Sequence, residues 1–116
     1  MGQWAIDFYE KSNGRCPTQE FLDSLPADER PLVINAIKQL RQHGLNLARP
    51  QVGYLRDHIR ELRVDVRRKR YRILHFIYHR DTFVLLQGLV KKAGKVSDSE
   101  INRALEYKQD YESTHS

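Results

Sequence analysis

The sequence predicts an α+β domain: an antiparallel β-meander with an N-terminal strand, a helical hairpin packed on one face and a C-terminal helix. Three observations carry this. Residues 3–9 alternate in a two-residue period, residues 27–43 hold apolar residues at three-and-four spacing behind a short capped helix, and residues 59–90 form three strand-like runs joined by short polar connections. Helices followed by a block of consecutive strands give an α+β arrangement rather than regularly alternating β and α units. A length of 116 residues, 40% of them hydrophobic, is enough for one core, so residues 1–116 are expected to form one domain.

In the first strand Trp4, Ile6 and Phe8 share one side, and Asn13-Gly14 and Pro17 end it. Thr18 is placed to cap a short helix over the following residues to Leu25, which Pro26 stops. The second helix is expected over residues 27–43. Its stripe is Leu32, Val33, Ala36, Ile37 and Leu40, its first turn holds Asp28 and Glu29, and Gly44 ends it. Pro31 fits only within that first turn.

Residues 46–58 read as a loop, and the strands are expected at 59–66, 71–78 and 83–90. Ser97 and Glu100 form a capping box for a last helix with Ile101, Ala104 and Leu105 on one stripe, while the tail from Glu106 is expected to fray. Cys16 is the only cysteine, which excludes a disulfide framework and thiolate zinc sites and suits a reducing cytoplasm. The chain has neither a secretory signal pattern nor an apolar run of membrane-spanning length.

The charge is unevenly placed. Residues 54–95 contain twelve basic and four acidic residues, whereas the rest of the chain holds eight basic and eleven acidic ones. A basic block in an otherwise mildly acidic protein predicts a localised polyanion site. A two-residue turn at Arg68-Lys69 or a four-residue loop at 67–70 pairs Val66 with Tyr71 and Asp65 with Arg72, and Leu62, Val64, Val66, Tyr71, Ile73 and Ile77 then face the helices. The opposite face carries Glu61, Arg63, Asp65 and Arg72. A second turn at Arg80-Asp81 adds Phe83, Leu85, Gln87, Leu89 and Lys91 to it.

Guanidinium and ammonium groups beside carboxylates and aromatic rings suit RNA, because arginines grip phosphates and rings stack on unpaired bases. Metal-free scission needs a base for the 2′-OH, cations for the phosphorane and a proton donor for the 5′-oxygen. Glu61 is the candidate base, Arg63 and Arg72 the charge stabilisers, and Lys91 or Tyr71 the donor. Arg60, Arg67, Arg68, Lys69, Arg70, Lys92 and Lys95 complete the candidate RNA contacts. The plainer reading is a solvated strand face and turn, with Tyr71 in the core at the parity of Ile73. His58, His75 and His79 lack the spacing of a metal site, and His75 has core parity. No glycine-rich phosphate loop is present, so no cofactor is expected.

The combination Glu61-Leu62-Arg63, Tyr71-Arg72-Ile73-Leu74, VLLQGLVKK and a final helix with Ile101, Ala104 and Leu105 resembles the RelE/ParE toxin superfamily, nearest its phage-derived HigB-like branch. FLDSLPADER and the helix ending QLRQHG resemble that family's helical hairpin. The resemblance implies a compact RelE-like fold and the toxin of a type II toxin–antitoxin pair, acting as a metal-independent endoribonuclease on ribosome-bound messenger RNA in the cytoplasm. Its implied partner is a small helix-turn-helix antitoxin. Arg63, Arg72, Glu61, Tyr71, Lys91 and Lys92 fall on positions of the family's motif, whereas the chain departs from the family in its acid–base groups. The alternatives are a ParE-type toxin that inhibits a topoisomerase without cutting RNA, and a non-catalytic RNA-binding domain.

Overall fold

The computed structural model describes residues 4–115. A five-stranded mixed sheet with strand order β1-β5-β4-β3-β2 forms its middle layer. The elements follow as β1 (Ala5–Phe8), α1 (Pro17–Ser24), α2 (Arg30–His43), a 3-10 turn (Gly44–Asn46), β2 (Val52–Arg56), β3 (Ile59–Val66), β4 (Lys69–Tyr78), β5 (Thr82–Lys91) and α3 (Asp98–Thr114). Strand β1 runs parallel to β5, and the other neighbours are antiparallel. Gln3, part of the expected first strand, and Ser116 lie outside the described residues.

The first helix starts earlier than its sequence pattern suggests and the second later, at Arg30, which leaves Asp28 and Glu29 just ahead of its first turn. Pro17 opens α1 behind Cys16, and Thr18 is buried inside the helix instead of capping it. Pro31 lies in the first turn of α2, where its missing N–H costs no hydrogen bond. Phe21, Leu22, Val33, Ile37 and Leu40 pack on Leu62, Tyr71, Ile73, Phe83 and Leu85 to form the first core, while Leu32 is left exposed. Each fully buried aliphatic side chain here contributes roughly 1.5–3 kcal/mol.

Two register details differ from expectation. The β3–β4 connection is Arg67-Arg68, so Arg63 lies opposite Arg72 and Val64 opposite Tyr71. This two-residue slip keeps every side chain on its expected face, because strand alternation has period two. In β5 a bulge opposite Leu74 and His75 accommodates one extra residue, Leu86, so Phe83 pairs with Ile77 instead of Tyr78. Phe83 and Leu85 therefore join the α1–α2 core, whereas Val84 and Leu86 turn to the other face.

That other face is largely covered by α3. Ile101, Ala104 and Tyr111 bury Ile59, Leu74, Phe76, Val84 and Leu86. Ser97 caps the helix, and Glu100 closes the capping box. The segment expected to fray is helical through Thr114. Tyr111 donates a 2.6 Å hydrogen bond to Asp7, and Tyr9 donates one of 2.6 Å to Asp110, so two reciprocal bonds tie the end of α3 to β1 and the residue after it. Tyr107 stacks on Tyr9 at 4.8 Å.

His75 is fully buried, and one ring nitrogen meets the Ile73 carbonyl at 3.0 Å. Burial pushes its pKa down to about 4, against a partial upward pull from the Ile73 carbonyl, and nearby Arg60 adds to the depression. Between pH 6.5 and pH 4 the unfolded chain binds a proton that the folded ring refuses, so acidification destabilises the fold. This single group should remove about 3 kcal/mol of stability across that window. Denaturation of wild type and His75→Gln at both pH values checks it: the variant should lack that part of the slope.

Candidate nucleic-acid interface

Near the β3–β4 turn, α3 leaves part of its sheet face uncovered. The resulting open cleft has a volume of ≈ 480 Å³ and is lined by six basic side chains, Arg56, Arg63, Arg70, Arg72, Lys91 and Lys95, against two acidic ones, Glu61 and Asp98. Tyr54 and Leu55 from β2 form one wall, and Val96, just ahead of α3, and Ile101 in its first turn form another.

Glu61 is buried in this cleft. Its Oε2 accepts from Arg63 Nε at 2.8 Å, and its Oε1 lies 3.7 Å from Arg72 Nε. Arg72 also donates to Asp65 at 2.7 Å and to the Tyr71 carbonyl at 2.9 Å. Lys91 Nζ donates to Glu100 Oε1 at 2.9 Å, the same oxygen that accepts the Ser97 N–H at 2.8 Å. Burial works against ionisation of Glu100, but the Ser97 N–H and Lys91 outweigh it and hold the carboxyl below its usual pKa. Arg56 is tied to Asp57 and Asn102, each at 2.8 Å. Among the described residues Lys95 has no ion-pair partner within 4.0 Å.

The expected site residues thus separate. Glu61, Arg63, Arg70, Arg72, Lys91 and Lys95 converge on the cleft, Arg60 lines a neighbouring one, and Arg68 and Lys92 are exposed outside both. Tyr71, Arg67 and Lys69 are drawn to another acid. The buried carboxylate of Glu29, at the start of α2, accepts from the Tyr71 hydroxyl in a short hydrogen bond, from Lys69 at 2.8 Å and from Arg67 at 2.8 Å. Asp28 takes the second Arg67 nitrogen at 3.0 Å. Lys69 and then Tyr71 hold the Glu29 carboxyl below the usual carboxylate range. Tyr71 therefore faces the helical hairpin and does not reach the cleft.

Tyr54, Leu55 and Arg56 are cleft residues that the loop reading of 46–58 missed. A signal was available: Val52, Tyr54 and Leu55 precede Ile59 across the short polar pair Asp57-His58, the spacing of a tight hairpin. Both residues of that pair adopt positive φ, 52° and 69°. Gly53 matters for its missing side chain, since a Cβ there would sit 2.2 Å from an Arg63 guanidinium nitrogen.

Residues 20–109 match the family described as "Phage derived protein Gp49-like (DUF891)". The chain belongs to this Gp49-like family. It is a family of the RelE/HigB toxin type. The matched span includes the second half of α1, all of α2, β2 to β5 and most of α3, and so every wall of the cleft in this Gp49-like chain. The sequence matches no curated protein. Among the described residues no helix is long and apolar enough to cross a membrane, and no group of three His, Cys, Asp or Glu side chains is arranged to hold a metal ion.

Two substitutions separate cleft from scaffold. Gly53→Ala should displace the Arg63 guanidinium from its 2.8 Å contact with Glu61 with little change in melting temperature. Tyr71→Phe should do the reverse, leaving that contact in place and lowering the melting temperature by a few degrees through the lost Glu29 contact. Thermal denaturation alongside a crystal structure of each purified variant checks both.

Proposed function

We propose that this protein is the toxin of a type II toxin–antitoxin pair and cuts ribosome-bound messenger RNA as a metal-independent endoribonuclease in the cytoplasm. The observation that carries the reading is the cleft that Arg63, Arg70, Arg72 and Lys91 line together with the buried carboxylate of Glu61. Guanidinium groups fixed by a carboxylate present their remaining N–H donors to a phosphate without first having to be ordered.

In this reading Arg63 and Arg72 grip the scissile phosphate and stabilise the charge that grows on its equatorial oxygens. Glu61 Oε1, with only the 3.7 Å approach of Arg72, keeps a lone pair for the 2′-OH proton. The 2′-oxygen then attacks phosphorus, the bond to the 5′-oxygen breaks, and Lys91 protonates that leaving oxygen. The products are a 2′,3′-cyclic phosphate and a free 5′-hydroxyl. A helix-turn-helix antitoxin encoded beside the toxin would hold it inactive.

Expression in a bacterial host should arrest growth and leave cleaved messages. Arg72→Ala should lower cleavage about 100-fold, the usual effect of deleting one donor that stabilises transition-state charge. Growth arrest with intact messenger RNA and inhibited supercoiling would overturn the nuclease reading in favour of a topoisomerase inhibitor. Tight, salt-sensitive RNA binding without products would reduce it to a binding domain.

A further inference from the structure

The basic cleft has a neighbour. A second depression of ≈ 270 Å³ is lined by Tyr54, His58, Arg60, Ile77, Lys108 and Glu112, so Tyr54 borders both. Tyr54 is 57% exposed and belongs to neither core cluster. The backbone N–H of His58 donates to the Tyr54 hydroxyl at 3.1 Å, which holds the ring against the β2–β3 turn. Arg60 is the direct cross-strand partner of Tyr54, so the guanidinium stem and the ring are neighbours on one face.

We propose that the second depression is a further nucleotide subsite of the same track, in which a single-stranded RNA base stacks on Tyr54 and the adjoining phosphate meets Arg60 and Lys108. This rests on the reading of the first cleft as an RNA site. Aromatic faces flanked by cations are how single strands are held without sequence readout. Among the described residues Arg60 has no ion-pair partner within 4.0 Å. Lys108 is paired only with Glu112, at 3.3 Å, and its Nζ sits 5.2 Å from the Phe76 ring centroid. Glu112 is the one carboxylate lining this depression, and its contact with Lys108 is one that a phosphate can displace. A duplex offers no free base face to Tyr54, which selects single strands.

The test is fluorescence anisotropy at low salt with labelled oligouridylates, 2′-O-methylated throughout so that no 2′-OH remains to attack, over a series of lengths. Wild type should gain affinity with length until both depressions are filled. Tyr54→Ala should abolish the gain from the added nucleotides and weaken the longest oligomer roughly tenfold or more. Tyr54→Phe should restore the length dependence. Lys108→Ala should lower the slope of log affinity against log salt by about one on long oligomers only. If long oligomers bind with an affinity that Arg72→Ala weakens while Tyr54→Ala and Lys108→Ala match wild type, the second subsite is refuted and the RNA reading stands. If no oligomer binds wild type, both fall.

Discussion

Arg63 and Arg72 lie directly opposite each other on neighbouring strands. Two like charges in that position repel by an amount on the order of 1 kcal/mol even in a well-screened setting, and by more as Arg72 is only 12% exposed. The sheet tolerates the pair because carboxylates flank it: Glu61 takes Arg63 and approaches Arg72, and Asp65 takes Arg72. Glu61 needs the arginines equally, since an unpaired buried carboxylate would be far costlier than the pairing. Neither sign is stable at this place without the other. The result is a set of cations ordered before any ligand arrives, with Gly53 leaving room for one of them.

The β5 bulge decides what surrounds this group. Below it, Phe83 and Leu85 serve the core under the helical hairpin. Leu86 and Gln87 then point to the α3 face in succession, and Leu89 and Lys91 continue on that face toward the cleft. Gln87 Nε2 donates to the Glu100 carbonyl at 2.9 Å, and Lys91 meets the Glu100 carboxylate, so β5 grips the first turn of α3 twice. The helix that walls the cleft is thereby positioned by the strand that supplies one of its cations. Its far end is held by the Tyr9, Asp7, Asp110 and Tyr111 bonds, which lets α3 cover the apolar sheet and stop short of the basic end.

What was legible in the sequence follows from which errors a strand pattern forgives. The convergence of Glu61, Arg63, Arg72 and Lys91 survived a misplaced first turn because a slip of two residues preserves parity. The bulge was illegible: Phe83-Val84-Leu85-Leu86 is apolar at successive positions, so one inserted residue leaves no break in the alternation. Strand β2 is five residues long with a glycine in it, too short and too weak in β-propensity to stand out. The order of the C-terminal tail came from Tyr107 and Tyr111 meeting β1 and the residue that follows it, about a hundred positions away. The core parity of Tyr71 could be read, but its partner Glu29 lies 42 residues upstream and no local rule links them.

The basic block, finally, is two surfaces and not one. In Lys69-Arg70-Tyr71-Arg72 the alternation of a strand sends Lys69 and Tyr71 to one side and Arg70 and Arg72 to the other. On the first side Glu29 and Asp28, acids from outside the block, absorb Lys69 and Arg67 and use them to fix the start of α2. On the second side the acids present, Glu61, Asp65, Asp98 and Glu100, orient the cations and are too few to neutralise them. The same four-residue run therefore both anchors a helix and furnishes two cations of the basic cleft. A charge count along the chain cannot separate these two uses, whereas the period of the strand can.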